Sequence, residues 1–148
     1  MDQQEIFKEA LAMQEELATW RHALHQMPEL SLDLPKTSAF VQTRLAEMDV
    51  PFHAIVNGNG VVAQLGEGEP CLLLRADMDA LPVAETSGVD FASTNGCMHA
   101  CGHDMHTTSL LGAAKLLKAH ESELCGTVKL LFQPGKETFN GAEACIKD

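Results

Sequence analysis

The chain carries little positive charge. Its 148 residues include 10 Lys and Arg against 21 Asp and Glu, which gives a formal net charge of −11. A protein of that sign repels nucleic acids and anionic membranes, and no cluster of basic residues opposes the repulsion. The sequence therefore predicts neither nucleic acid nor membrane as a partner, and the acidity is explained by solubility.

Signals for export and for a membrane span are also missing. Residues 1–5 are polar and acidic, so we expect no signal peptide, and no apolar run is long enough to cross a bilayer. The five cysteines are odd in number and scattered along the chain. Without an export signal, this pattern favours reduced thiols over a disulfide framework. We therefore expect a cytoplasmic protein.

The length and apolar content that are present fit one domain, residues 1–148. Apolar residues at steps of three and four predict an amphipathic helix over about residues 3–26. Pro35 suits the first turn of a second helix, and a third is predicted over about residues 106–120. Another helix is indicated from Gly141 onward.

Four short apolar runs predict strands. Residues 52–56 and 61–65 flank Asn57-Gly58-Asn59-Gly60, which is typical of a hairpin. Residues 71–74 are a continuous apolar run, as expected of a strand covered on both faces, and residues 127–132 predict another buried strand. The order of elements predicts an α/β fold, specifically an α/β/α sandwich with a mixed, mostly parallel sheet.

Residues 98–106 carry the densest chemistry, because they place one thiol, three imidazoles and one carboxylate within nine positions. Acidic residues follow two of the predicted strands: Asp77 and Asp79 after residues 72–74, and Glu137 after residues 128–132. If those strands are parallel neighbours, their carboxyl ends share one edge of the sheet. We therefore expect three distant segments to form one site.

Cys101 and His103 are the best candidates for metal ligands, with Glu137 as a harder third ligand. In an extended loop, residues two apart point the same way, and Gly102 allows a tight backbone between them. Thiolate with imidazole favours zinc, with weaker discrimination against cobalt, nickel or manganese. Asp77 and Asp79 either bind the ion as well or orient an imidazole ligand.

Two alternatives stay open at this point. Cys97, Cys101, His103 and His106 could form a closed structural zinc site, although that site leaves the acidic strand ends unexplained. The first helix could serve as an interaction module, which an exposed Trp20 would favour. The remaining histidines are interpreted as ordinary surface or helix residues: His22, His25, His53 and His120.

Four segments, in order along the chain, resemble the signatures of a known family. They are Trp20-Arg21-His22-Ala23-Leu24-His25-Gln26-Met27-Pro28-Glu29-Leu30-Ser31, Leu74-Arg75-Ala76-Asp77-Met78-Asp79-Ala80-Leu81-Pro82, Met98 to His106, and Leu131-Phe132-Gln133-Pro134. The chain resembles the metal-dependent aminoacylase/carboxypeptidase family of amidohydrolases. The nearest branch contains hippurate hydrolases, N-acyl-amino-acid amidohydrolases and plant auxin-conjugate hydrolases.

This resemblance implies a hydrolase that uses two divalent ions, zinc or manganese with cobalt or nickel as further options, to cleave the amide bond of small N-acyl amino acids. By position, Cys101, His103 and Glu137 match metal ligands, and Asp79 matches the acidic residue that supports the site. Lys136 stands at the position of the general base, which is a glutamate in the family.

Two departures from the family affect the expected activity. A general base must accept a proton, and a protonated Lys136 cannot, so we expect hydrolysis to be lost or severely reduced. The chain is also much shorter than family members. We therefore expect part of a catalytic domain, without the dimerisation domain and the downstream histidine ligands, and an uncovered sheet edge or apolar face that promotes self-association. A catalytically impaired metal-binding fragment is thus the alternative to an active enzyme.

Overall fold

The computed structural model describes residues 2–148. Within that range, the elements follow one another as α1 (Gln3–Ala12), α2 (Gln14–His25), α3 (Pro35–Glu47), β1 (Phe52–Ile55), β2 (Gly60–Leu65), β3 (Cys71–Asp77), α4 (His103–Ala119), a 3-10 turn (Glu121–Glu123), β4 (Thr127–Gln133) and α5 (Gly141–Lys147). None of these helices combines the length and the hydrophobicity that a bilayer crossing requires.

The four strands form one sheet in the order β1-β2-β4-β3. β1 pairs with β2 and β2 with β4 in antiparallel fashion, whereas β3 and β4 are parallel. The α/β fold with a mixed sheet is confirmed, as is the parallel pairing of the third and fourth strands. The sheet is not mostly parallel in this part of the chain, because the hairpin strands β1 and β2 reverse direction.

The hydrophobic core lies on one face of the sheet. Leu130 and Phe132 of β4 are fully buried there, against Val41 and Leu45 of α3 and Leu111 of α4. Trp20 of α2 belongs to the same cluster and is only 6% exposed, so the first helices pack as core elements and the interaction module loses its support. On the other face, the short α5 contacts β4.

Two helix boundaries differ from the sequence prediction. The first helix is divided at Met13, whose amide donates to the carbonyls of Ala10 and Leu11, a tighter pattern than that of an α-helix. The third predicted helix, α4, begins at His103 and not near His106. Gly102 precedes it in the left-handed region with φ 81°, so His103 lies in the first helical turn and not in an extended loop.

Strand β3 is more exposed than its apolar sequence suggests. Leu72 is 57% exposed and Leu73 is 55% exposed, although strand coverage on both faces was predicted. The reason is its place in the sheet: among residues 2–148, β3 is an edge strand that pairs with β4 on one side and with no strand on the other. Only its last residues, Ala76 and Asp77, are buried.

Candidate metal centre

The ends of β3 and β4 bring the polar segments together. Asp77, the last residue of β3, is in register with Gln133, the last residue of β4. The chain after β4 turns at Pro134 and Gly135 and presents Glu137 at the same edge. His103 enters from the amino-terminal end of α4, and the hydroxyl of Thr107, one turn further, donates to the Asp77 carbonyl at 3.1 Å.

Cys101, His103 and Glu137 meet as predicted. The thiol, one imidazole nitrogen and one carboxylate oxygen of these residues all lie within 4.8 Å of one another. His103 Nε2 is 3.3 Å from Glu137 Oε1. His103 is buried, Glu137 is half-buried and Cys101 is exposed, so the group opens toward solvent on the thiol side. Soft, intermediate and hard donors at this separation fit a divalent metal ion.

A second group of donors shares His103 and adds Asp77 and His106. Asp77 Oδ1 lies 2.7 Å from His106 Nδ1, and Asp77 Oδ2 lies 3.6 Å from His103 Nε2. Sequence reasoning placed His106 only in the closed zinc alternative, although its position three residues after His103 on one helix face was a usable signal. Cys97 belongs to neither group, so the closed site gains no support.

Asp79 connects the two sides of the site through the backbone. Its carboxylate accepts hydrogen bonds from the amides of Lys136 at 3.0 Å and Glu137 at 2.8 Å. Its carbonyl oxygen lies 2.6 Å from His103 Nδ1, which leaves Nε2 of that ring facing Glu137. Asp79 is itself buried. It therefore orients two candidate ligands without offering its carboxylate to the same ion.

The electrostatics of the site favour ionised carboxylates. Burial tends to raise the pKa of Asp77, but the hydrogen bond with His106 and the charge of His103 hold it below the usual value. Burial lowers the pKa of His103, yet contacts with Asp79 and Asp77 more than offset this and raise it. The Glu137 carboxylate, which hydrogen-bonds the thiol, raises the pKa of Cys101.

Lys136 lies beside the candidate ligands. Its side chain is 42% exposed, and Nζ is 3.5 Å from Glu137 Oε1. The ammonium therefore pairs with a carboxylate that a metal ion would also use. A cation at this position competes with a bound ion and has no free electron pair with which to accept a proton.

The fold and these donor groups define an α/β domain with a candidate site for divalent metal ions. The chain belongs to peptidase family M20/M25/M40, whose model matches residues 73–148. This confirms the resemblance inferred from the four signatures.

Curated relatives support the same branch of the family. The chain is 45% identical over 139 residues to the N-acetyl-L-cysteine deacetylase of Bacillus subtilis, and 46% identical over 144 residues to the IAA-amino acid hydrolase ILR1-like 5 of Arabidopsis thaliana. These matches cover 92% and 93% of this chain but 33% of each relative. The chain therefore spans about a third of the length of these relatives.

Solved structures agree with the fold. The YXEP protein of Bacillus subtilis, described as a dinuclear metal-binding peptidase of the M20 family, superposes with a TM-score of 0.87 at 39% identity. That match covers 92% of this chain and 39% of the other. A protein from methicillin-resistant Staphylococcus aureus superposes with a TM-score of 0.92 at 34% identity, over 99% of this chain and 40% of the other.

Proposed function

We propose that this chain holds a divalent metal ion with Cys101, His103 and Glu137 and belongs to an amidohydrolase that cleaves the amide bond of N-acyl amino acids. The observation that carries the proposal is the convergence of these three donors within 4.8 Å. The substrate class follows from the relatives named for N-acetyl-L-cysteine and IAA-amino acid conjugates. When bound, the ion polarises the acyl carbonyl and lowers the cost of activating water.

The finer assignments belong to the same proposal. Zinc or manganese is the expected ion, hippurate and other small N-acyl amino acids are the expected substrates, and the cytoplasm is the expected location. We assign residues 1–148 to part of the catalytic domain of such an enzyme, because the chain spans about a third of the length of its curated relatives.

A second candidate function is metal binding with severely impaired hydrolysis, and Lys136 favours it. The Lys136 ammonium lies 3.5 Å from Glu137 Oε1 at the position where the resemblance expects a general base. A positioned base contributes about 100- to 10,000-fold to the rate of such reactions, so a chain that lacks one retains only a small part of the activity.

The metal half of the proposal is tested with cobalt, whose bond to a thiolate gives a charge-transfer absorption. We expect Cys101→Ser to abolish that absorption and to weaken cobalt binding by about tenfold or more, since even supporting residues of metal sites contribute that much. Cys125→Ser is the matched control, because Cys125 is also an exposed free thiol and lies outside both donor groups. Equal effects of the two variants would show that the thiol of Cys101 is no ligand.

The hydrolytic half is tested by restoring the base. We expect Lys136→Glu, assayed on N-acyl amino acids with zinc or manganese, to raise turnover about 100-fold or more over the unmutated chain. Lys136→Gln controls for removal of the positive charge, and it should raise metal affinity without a comparable gain in turnover. Rapid hydrolysis by the unmutated chain would refute the idea that Lys136 blocks catalysis.

A further inference from the structure

A second cluster of buried polar side chains lies between α2 and the start of α4. At its centre is His25, which is 3% exposed. Its Nδ1 is 2.8 Å from Asp104 Oδ2, and its Nε2 is 2.9 Å from Glu85 Oε1. Nε of Arg21, one turn earlier on α2, donates to the same Asp104 oxygen at 2.8 Å. The sequence suggested that His25 is an ordinary surface or helix histidine. That interpretation is wrong, because both of its ring nitrogens contact carboxylates.

The first partner of His25 lies next to a candidate metal ligand. Asp104 directly follows His103 in the first turn of α4, and both side chains are buried. His103 turns toward Asp79 and the sheet, whereas Asp104 turns toward α2. The start of α4 is thus held from two sides. Asp79, just after β3, contacts His103, and Arg21 and His25 of α2 contact Asp104.

The second partner belongs to the long connection between β3 and α4. Backbone hydrogen bonds between Leu81 and Met98 close the base of this connection at 3.0 Å in both directions. Within it, the Glu85 carboxylate accepts from the Ser93 amide and the Ser87 hydroxyl, each at 2.6 Å. The Glu85 carboxylate therefore links Ser87 and Ser93 of this connection to each other and also contacts His25 on α2.

We propose that His25 is a positioning residue that fixes Cys101 and His103 at ion-binding separation by bridging Glu85 and Asp104. The inference rests on the proposed metal site. Cys101 lies between the two bridged points, on a stretch with left-handed backbone at Gly102. Loss of the imidazole leaves the two carboxylates in a covered space without the ring that contacts both of them, so their repulsion displaces the segment that carries the thiol.

The variants separate this role from simple packing. His25→Gln removes the bridge while keeping a polar side chain of similar reach. Glu85→Gln removes the charge that faces His25 and one of the two oxygens that now contact His25, Ser87 and Ser93. His22→Gln is the matched control. His22 lies one turn earlier on α2 and stacks on Phe91 of the same connection, with ring centroids 3.8 Å apart.

The first measurement needs no metal. Amide hydrogen exchange of the metal-free chain is followed at Met98, Gly102 and Met105, whose amides are hydrogen-bonded within this segment, with the β2–β4 ladder as an internal reference. We expect His25→Gln and Glu85→Gln to accelerate exchange at these three amides by about tenfold or more while the ladder is unchanged. General destabilisation would accelerate exchange at both places alike.

The second measurement is cobalt affinity. We expect His25→Gln to weaken binding by about 10- to 100-fold, as is usual for residues that orient metal ligands, and to alter the thiolate absorption, whereas His22→Gln should change neither. Unchanged exchange at the three amides in both test variants, or acceleration across the whole sheet, overturns the inference. If the unmutated chain binds no cobalt, the proposed metal function fails, and the exchange measurement alone decides whether His25 positions the segment.

Discussion

Asp79 shows how one buried carboxylate can organise a site without binding its ion. Its carboxylate accepts hydrogen bonds from the amides of Lys136 and Glu137, and its backbone carbonyl contacts Nδ1 of His103. Burial alone would raise the pKa of Asp79, but the contact of its carboxylate with His103 and the hydrogen bonds from the amides of Glu137 and Lys136 hold it below the usual value. The ionised carboxylate is therefore the form that holds the turn after β4 against the start of α4.

Replacing Asp79 with asparagine should damage both stability and metal binding. The asparagine side chain has one acceptor oxygen, whereas each of the two carboxylate oxygens of Asp79 now accepts a hydrogen bond from a backbone N–H. One of these two N–H groups would therefore be left without a partner. We expect the free energy of unfolding to fall by about 1–3 kcal/mol and metal affinity to fall by about 10- to 100-fold. Chemical denaturation and cobalt titration measure the two effects, with the exposed Asp90→Asn as the control. An Asp79→Asn chain that binds cobalt as tightly as the original contradicts this role.

Sequence reasoning found some residues of the site and missed others for identifiable reasons. Cys101, His103 and Glu137 were predicted to meet because their types suit a metal and because the strands before them were expected to be parallel. His25 was missed because its carboxylate partners, Asp104 and Glu85, lie 79 and 60 residues away in the chain. No local pattern reveals such a partner, and a histidine beside an apolar helix stripe fits an exposed position equally well.

His99 belongs to the dense polar segment 98–106, but sequence reasoning assigned it no role. It is buried, and neither ring nitrogen has a hydrogen-bond partner among residues 2–148. Burial lowers its pKa to about 4. The imidazole is therefore held in its neutral form, because burial penalises the charged form.

At the scale of elements, the connection between β3 and α4 matters more than its lack of regular structure suggests. Residues 82–97 contain no helix or strand, yet side chains tie them to α2 through Glu85 and His25 and to the Pro28 carbonyl through Asn95, at 2.9 Å. Sequence patterns predict helices and strands from periodicity, and this segment has none. Its order comes from hydrogen bonds between side chains that lie far apart in sequence.

The anchoring of this connection should be sensitive to acid. Hydrogen bonds from Ser87, His25 and Ser93 lower the pKa of Glu85 from 4.5 to about 2. Because the folded-state pKa is the lower one, the ionised carboxylate stabilises the fold above about pH 4.5, and this contribution is lost as the pH falls toward about 2. We therefore expect the difference in melting temperature between the unmutated chain and Glu85→Gln to shrink across that window.

Thermal melts followed by circular dichroism, at steps between about pH 5 and pH 2, measure this difference. Glu67→Gln, an exposed residue after β2, is the control and should melt in parallel with the unmutated chain at every pH. A deficit of Glu85→Gln that stays constant throughout the acid range would show that the charge of Glu85 contributes nothing.

At the scale of the whole molecule, the coverage of the sheet is uneven. The core face is closed by α2, α3 and α4, whereas the opposite face carries α5 and a groove lined in part by Leu73, Leu131 and Ile146. Within the part of the chain that the structure describes, β3 has a strand partner on one side only. An apolar edge strand of this kind is a common origin of association between chains.

We therefore expect the isolated chain to self-associate, and a charge on the edge strand to reduce the association. Leu73→Lys places a lysine on β3, and Leu11→Lys is the matched control, because Leu11 is 54% exposed on α1 against 55% for Leu73. Sedimentation velocity over a range of concentrations should show a larger drop in average mass for Leu73→Lys. A monodisperse monomer that melts cooperatively without either substitution contradicts the expectation.

The donors of the candidate centre come from the ends of two different strands and from the beginning of a helix, so any ion they share fastens three parts of the polymer at once. Such an ion would therefore stabilise the fold reversibly. A ligand that binds only the native state raises the free energy of unfolding by about 2.7 kcal/mol when its concentration is 100 times its dissociation constant. The lifetime of the folded chain would then follow the supply of metal, and a chelator would shorten it without touching a single covalent bond.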